Sequence, residues 1–296
     1  MRLSLFGLQT VGTPGDVAAN LRELREAARV AKTEGGELLI TPELFVTGYN
    51  IGDRVFELAQ DDLLTAVREI ARDEGIALLV GLPEHVAASG DGSAAPDTTD
   101  ATDSTPERFY NTAVFIDETG AVLANYRKTH LYGSLDRYSF TAGDDLVCTV
   151  DYRGVKLALL ICYDVEFAEV VRAAALAGAH AVLVPTAQMS PFHYVAEQVV
   201  RVRAWENQVY VAYINHDGTE HNGTVHDDTL QDGTGGDRRG GDLDYVGRSS
   251  IVDPYATVLD SLEHGTGLIS AIIDTDVVER AQRVNPYLSD RRPSLY

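Results

Sequence analysis

The amino-acid sequence predicts an α/β protein in which helices cover the faces of β-sheets. Three observations predict it. Short apolar runs with strand character alternate along the chain with longer segments that carry a helical apolar stripe. Of the 296 residues, 45% are apolar, enough for a sizeable core. No stretch approaches the ~18 consecutive apolar residues of a membrane span, so that apolar content goes into packed layers.

The elements follow in order. Residues 1–10 alternate like a strand, predicted at 3–9, and lack the charged, apolar and cleavage regions of a signal peptide. A helix is predicted over 17–33, where Leu21, Leu24, Ala27, Ala28 and Ala31 form one stripe. Gly35 and Gly36 stop it. A strand at 38–41, a helix at 62–73 and strands at 76–82, 113–117 and 122–126 follow. The apolar run Leu157-Ala158-Leu159-Leu160-Ile161 predicts a strand over 155–162, then a helix over 168–177. A strand at 181–185, a helix at 194–207 and a strand at 209–214 come next, with further strands near 247–252, 257–260 and 267–274. Residues 87–106 and 216–242 are rich in Gly and Asp, the first also in Ser and Thr, the second in His. Neither can bury a helix or strand face, so both read as solvated loops inserted into one domain spanning 1–296.

The formal charge of −21 argues against nucleic acid or an anionic membrane as partner. Only Lys32, Lys128 and Lys156 of the 24 basic residues are lysines, against 45 acidic residues. Such a surface suits a high-salt cytoplasm, where screening suppresses self-repulsion, and the expected location is cytoplasmic. Two cysteines, Cys148 and Cys162, are too few for a disulfide framework.

Three residues carry candidate chemistry. Cys162 ends an apolar strand just before a helix, where a nucleophile would sit at the carboxyl edge of a sheet beside backbone amides. Such a cysteine can equally be a small buried hydrophobe, which is the reading for Cys148. Lys128 follows the strand ending at Tyr126 in a chain that otherwise avoids lysine. A lysine beside a thiol lowers its pKa and stabilises a developing oxyanion. Glu43 follows Pro42 at a strand end, where a carboxylate can act as general base.

Thr41-Pro42-Glu43-Leu44, Tyr126-Arg127-Lys128-Thr129-His130-Leu131 and Leu160-Ile161-Cys162-Tyr163-Asp164 resemble the three signature motifs of the nitrilase superfamily, in the family's order. Tyr110-Asn111-Thr112-Ala113, Val184-Pro185-Thr186 and Arg203-Ala204-Trp205-Glu206-Asn207 are similar to its flanking pieces. The resemblance implies a four-layer αββα sandwich, paired into a homodimer or larger homo-oligomer through helices flanking the nucleophile. It implies thioester chemistry on a small amide without cofactor or metal. Cys162 would attack the carbonyl, Lys128 and the Tyr163 amide would hold the oxyanion, and Glu43 would shuttle protons. Tyr49, Glu166 and Thr186 are the expected substrate-binding residues.

The chain departs from the family pattern at two points. Asp136 stands where many members carry a second glutamate, and it is expected to orient Lys128. Glu166 stands where many carbamoylases carry an arginine, which favours neutral or amine-bearing amides over acidic ones; it can also simply favour a helix N-terminus. Tyr163-Asp164 resembles the amidase and carbamoylase branches more than true nitrilases, leaving an N-carbamoyl amine amidohydrolase (β-ureidopropionase-like) as the alternative and a nitrilase third. His216, His221 and His226 recur five apart, a spacing that fits neither a helix face nor a standard zinc motif, so no metal is expected.

Overall fold

The structure, a computed structural model, describes residues 1–88, 106–221 and 241–295. The first strands are β1 (Arg2–Gln9), β2 (Leu38–Ile40), β3 (Ala77–Val86), β4 (Arg108–Ile116) and β5 (Val122–Arg127). Then come β6 (Cys148–Tyr152), β7 (Val155–Leu159), β8 (Ala181–Thr186), β9 (Tyr210–Asn215), β10 (Asp217–Glu220) and β11 (Leu243–Val246). The last are β12 (Ser249–Val252), β13 (Val258–Leu262) and β14 (Gly267–Asp274). One six-stranded sheet has the order β14-β1-β2-β3-β4-β5, the other β13-β12-β9-β8-β7-β6.

The helices are α1 (Val17–Thr33), α2 (Arg54–Leu58), α3 (Leu63–Glu74), α4 (Gly133–Ser139), α5 (Ala168–Leu176), α6 (Val200–Asn207), α7 (Thr275–Val284) and α8 (Tyr287–Asp290). The pleat of β1 shows how the layers stack. Leu3 and Leu5 pack between the two sheets, whereas Phe6 and Leu8 pack on α1 and α3. α1 buries Leu24, Ala27, Ala28 and Ala31 of its predicted stripe. On the far side, Val170, Val171 and Ala174 of α5 and Val200 and Ala204 of α6 close the second sheet. The order is therefore helix, sheet, sheet, helix, as expected. Gly7 leaves the space that Ile214 of the opposite sheet fills: a Cβ there would lie 2.1 Å from its tip.

Within the first sheet β1, β2 and β3 run parallel, and within the second β7, β8 and β9 do. Chain segments leaving the carboxyl ends of such strands are where α/β folds gather functional groups. The Glu43 N–H donates to the carbonyl of Thr186, 3.3 Å away, tying the end of β2 to the end of β8 across the two sheets.

Several elements differ from expectation. β3 and β4 pair as far as Val86 and Arg108, so the ladder reaches both ends of the 87–106 segment, of which 89–105 lie outside the described residues. The expected 216–242 loop begins as structure. β10 pairs with β11, and His216 is buried rather than solvated. Residues 222–240, with His226, lie outside the described residues. α2, α4, α7 and β6 were not predicted; the first two are only five and seven residues long and are held by tertiary packing, since isolated helices of that length do not form. The strand predicted over 155–162 stops at Leu159, and Cys162–Glu166 forms a 3-10 turn that feeds α5. No helix among the described residues is long and apolar enough to cross a membrane.

Candidate active site

Glu43, Lys128 and Asp136 form one buried ionic cluster. The Lys128 ammonium donates to Glu43 Oε1 at 2.7 Å and to Asp136 Oδ2 at 2.6 Å, with all three side chains inaccessible to solvent. Lys128 reaches this point because its backbone continues the β5 edge: its N–H donates to the Asn111 carbonyl, and its own carbonyl accepts from Gly143 N–H. Asp136 sits on α4, where its carboxylate also accepts from the Tyr49 hydroxyl at 2.8 Å and the Tyr132 N–H at 2.9 Å.

Glu43 is fixed from several directions. Asn111 Nδ2 donates to Oε1 at 2.7 Å. The turn around Glu43 packs on Gly81, where a Cβ would come within 2.5 Å of Leu44 N and 2.6 Å of Pro42 O. His216, fully buried, places Nε2 2.7 Å from the Glu43 carbonyl and Nδ1 2.9 Å from the Thr10 carbonyl. Burial lowers the His216 pKa to about 4; a neutral ring has one N–H, so it donates to one carbonyl at a time. Glu43 Oε2 has no hydrogen-bond partner among the described residues. An unengaged carboxylate oxygen inside a cluster this buried is the atom available to take or give a proton.

Cys162 begins its turn with φ of +44°, a left-handed conformation that costs a non-glycine residue energy and marks a site where position matters more than comfort. Asp164 holds that turn. Its buried carboxylate accepts from the N–H groups of Ile161 and His130 at 3.0 Å and from the hydroxyls of Tyr126 and Thr129 at 3.0 Å. Arg203 of α6 braces the other end, donating to the carbonyls of Val165 at 2.9 Å and Glu166 at 2.5 Å. Tyr163 follows Cys162 in this turn, which the Asp164 N–H closes by donating to the Ile161 carbonyl at 3.0 Å.

The electrostatics set the resting protonation. Burial alone would lower the Lys128 pKa, but Asp136 and Glu43 hold it well above the usual lysine value, so the group stays an ammonium. Burial raises the Glu43 carboxyl, opposed by Lys128 and Asn111. Burial and Glu43 push the Cys162 thiol well up, against the lowering effects of Lys128 and the Ala187 N–H. Lys128 lowers the thiol pKa, the sign expected of a neighbouring lysine, but burial outweighs it. A thiol that stays protonated needs a base before it can attack a carbonyl.

A narrow cavity, partly open to solvent, lies over Cys162 and is lined by Tyr49, Tyr132, Tyr163, Glu166, Gln188 and Met189, with Ala187 at its wall. Tyr49 and Glu166 therefore stand where the sequence placed them. Thr186 does not. Its hydroxyl turns inward to the Val184 carbonyl at 2.9 Å, and it lies outside the cavity lining. The strand end is one residue longer than its substrate-facing part, so Ala187, Gln188 and Met189 face the cavity instead. Asn111, Asp164 and Gly81 are given no role by the sequence, and His216, weighed there only as a metal ligand in a solvated loop, is a buried support of the Glu43 backbone. Asn111 and Asp164 lay inside recognised motifs; the signal available was a polar residue interrupting an apolar run. Among the described residues no group of three His, Cys, Asp or Glu is placed to hold a metal.

Asp136→Asn is expected to lower kcat more than it raises KM, by roughly 10- to 100-fold in kcat, because Lys128 loses one of its two carboxylates and with it its fixed direction. Steady-state kinetics on one small amide check it; a change confined to thermal stability would make Asp136 a purely structural partner.

The comparisons with known proteins agree with this geometry. The family model for carbon-nitrogen hydrolases matches residues 2–283. The hydrolase in the pqqF 5′ region of Pseudomonas protegens is 40% identical over 300 residues, covering 100% of this chain and 90% of the relative. An (R)-stereoselective amidase of Pseudomonas sp. is 31% identical over 295 residues, covering 97% of this chain and 91% of the relative. The crystal structure of an amidase from Nesterenkonia sp. superposes with a TM-score of 0.77 at 33% identity, covering 99% of this chain and 94% of that one. Variants of that amidase were solved with butyramide and with the acetamide moiety of fluoroacetamide added covalently at the active site cysteine. The chain belongs to the carbon–nitrogen hydrolase family of the nitrilase superfamily.

Proposed function

We propose that this enzyme hydrolyses the C–N bond of a small amide through a thioester on Cys162, releasing ammonia and a carboxylic acid. The observation that carries the reading is the juxtaposition of the Cys162 cavity with the buried Glu43–Lys128–Asp136 cluster. Glu43 takes the thiol proton through its free oxygen as sulfur attacks the carbonyl carbon. The Lys128 ammonium and the Tyr163 N–H stabilise the oxyanion of the tetrahedral intermediate. Collapse breaks the C–N bond, and the leaving nitrogen takes the proton from Glu43 and departs as ammonia. Glu43 then removes a proton from water, whose oxygen attacks the thioester; the C–S bond breaks, the acid leaves and the thiol recovers its proton. Asp136 directs Lys128, and Tyr49 holds Asp136. The covalent addition of an acetamide moiety at the active site cysteine of the Nesterenkonia amidase supports a nucleophilic role for the matching cysteine.

The proposal extends to one catalytic unit over residues 1–296, acting in a salt-rich cytoplasm as a homo-oligomer. The charge of −21 supports the salt adaptation. Exposed Leu176 on α5 and Val202 and Trp205 on α6 support self-association on that face. An ammonia-release screen of small amides, N-carbamoyl amines and nitriles at high salt tests the activity. Ammonia from amides without carbon dioxide is the expected result; carbon dioxide released with the ammonia would make the chain a carbamoylase, and turnover of nitriles alone a nitrilase.

A further inference from the structure

The cavity over Cys162 combines aromatic rings with a carboxylate. Tyr132 meets Tyr163 edge-to-face at 5.2 Å between ring centroids and Phe192 at 6.2 Å, and Phe167 backs Tyr163 at 4.9 Å. Glu166 lines the same space. No hydrogen bond or ion pair engages its carboxylate among the described residues. The adjacent cation does not fill that role: Arg203 donates to the backbone carbonyls of Val165 and Glu166 and to the Glu206 carboxylate at 2.8 Å. Burial raises the Glu166 pKa despite the opposing fields of Arg203 and Lys128, the behaviour of a half-buried carboxyl lacking both full solvation and a direct partner.

The remaining charges reinforce this sign. Behind Tyr49, which lines the cavity and donates to Asp136, two carboxyl groups, Glu43 and Asp136, share the ammonium of Lys128. With Glu166 this region holds three carboxyl groups against the Lys128 ammonium and the Arg203 guanidinium, in a protein of net charge −21. Field lines concentrated in a narrow cleft of that sign draw cations in and reject anions.

We infer that the acyl part of the substrate carries an ammonium group, seated against the Glu166 carboxylate and among the aromatic rings of the cavity. The ammonium supplies the partner that Glu166 lacks through a charge-assisted hydrogen bond. Aromatic rings tolerate a desolvated cation through their quadrupoles, where an aliphatic wall would not. An acidic acyl chain would bring a further negative charge beside Glu166 with no cation to meet it. This inference rests on the amide-hydrolase reading of the same cavity and specifies its substrate.

The test uses matched amides that differ only in the terminal group. Glycinamide, β-alaninamide and 4-aminobutanamide are compared with their uncharged isosteres propanamide, butanamide and pentanamide, and with the carboxylates succinamate and glutaramate. The best amine is expected to exceed its uncharged isostere by about tenfold to a hundredfold in kcat/KM, the worth of one hydrogen bond to a charged group, with most of the difference in KM. In Glu166→Gln the amine-to-isostere ratio is expected to fall toward one, while Glu166→Asp keeps it above one. Unaltered enzyme gives a second measurement that needs no variant: propylammonium is expected to be a stronger competitive inhibitor than propionate. Uncharged or acidic amides turned over best by the unaltered enzyme, an unchanged ratio in Glu166→Gln, or stronger inhibition by propionate would each overturn the inference while leaving the amidase reading intact. If no amide of any charge releases ammonia, it is the amidase reading that fails.

Discussion

Cys162→Ala is expected to abolish amide turnover, a loss on the order of 10⁵- to 10⁶-fold, the scale seen when a catalytic nucleophile is removed. No other thiol lines the cavity among the described residues, and the second cysteine, Cys148, lies on β6. The fold should survive. The side chain is buried but small, and its loss removes one sulfur while leaving the Asp164 and Arg203 contacts that hold the turn. A haloacetamide, which has the shape of a small amide, should label Cys162 in the unaltered enzyme and spare Cys148. Cys148 sits on β6, away from the cavity over Cys162, with its thiol raised by burial and by Asp145. Ammonia release and mass spectrometry of the labelled protein check both halves. Residual turnover in the alanine variant above the spontaneous rate would remove Cys162 from the mechanism.

Lys128 carries the second large effect, because its ammonium serves both catalysis and stability. Lys128→Arg keeps the charge but replaces a compact donor by a wide planar fork in a site with no exposed surface. The expected loss in kcat is at least about 100-fold, the usual size for one oxyanion donor. Lys128→Met removes the charge and leaves Glu43 and Asp136 buried without their cation. Breaking a buried pair in that way costs about 3–5 kcal/mol, so the variant should unfold at a markedly lower temperature. Kinetics on the arginine variant and thermal unfolding of the methionine variant separate the two roles. Near-normal kcat in Lys128→Arg would reduce Lys128 to a structural ion pair.

The site residues differ in how much of their role was written locally. Glu43, Lys128 and Cys162 each sit in a short motif at a strand end, and the resemblance of the three motifs, in order, to those of the nitrilase superfamily nominates them, which position alone does not. Asp136 is nominated as the stand-in for the second glutamate of the family it resembles, and its carboxylate accepts from the Lys128 ammonium at 2.6 Å. Thr186 was misassigned because strand periodicity does not say at which residue a strand stops facing the core and starts facing a cavity. His216 was misread because its surroundings in sequence are polar, whereas its surroundings in space are the Thr10 and Glu43 carbonyls and the Tyr245 ring, contributed by other parts of the chain.

The fold followed the same division. α1 and β1 were legible because long amphipathic stripes and strict alternation are properties of contiguous residues. α2, α4 and β6 were not, because short elements draw their stability from partners elsewhere. By itself the sequence determined the α/β layering, the three motif residues and the acidic, lysine-poor character of the protein. Only the tertiary structure decided which oxygen of Glu43 is free, that burial overrides Lys128 in setting the Cys162 thiol, and that Glu166 faces the cavity while Arg203 is spent on backbone carbonyls. Those facts depend on contacts between residues as far apart as Lys128 and Glu43, which are separated by 85 positions. Hydrogen bonding and desolvation act over a few ångströms of space, and only folding sets which groups share them.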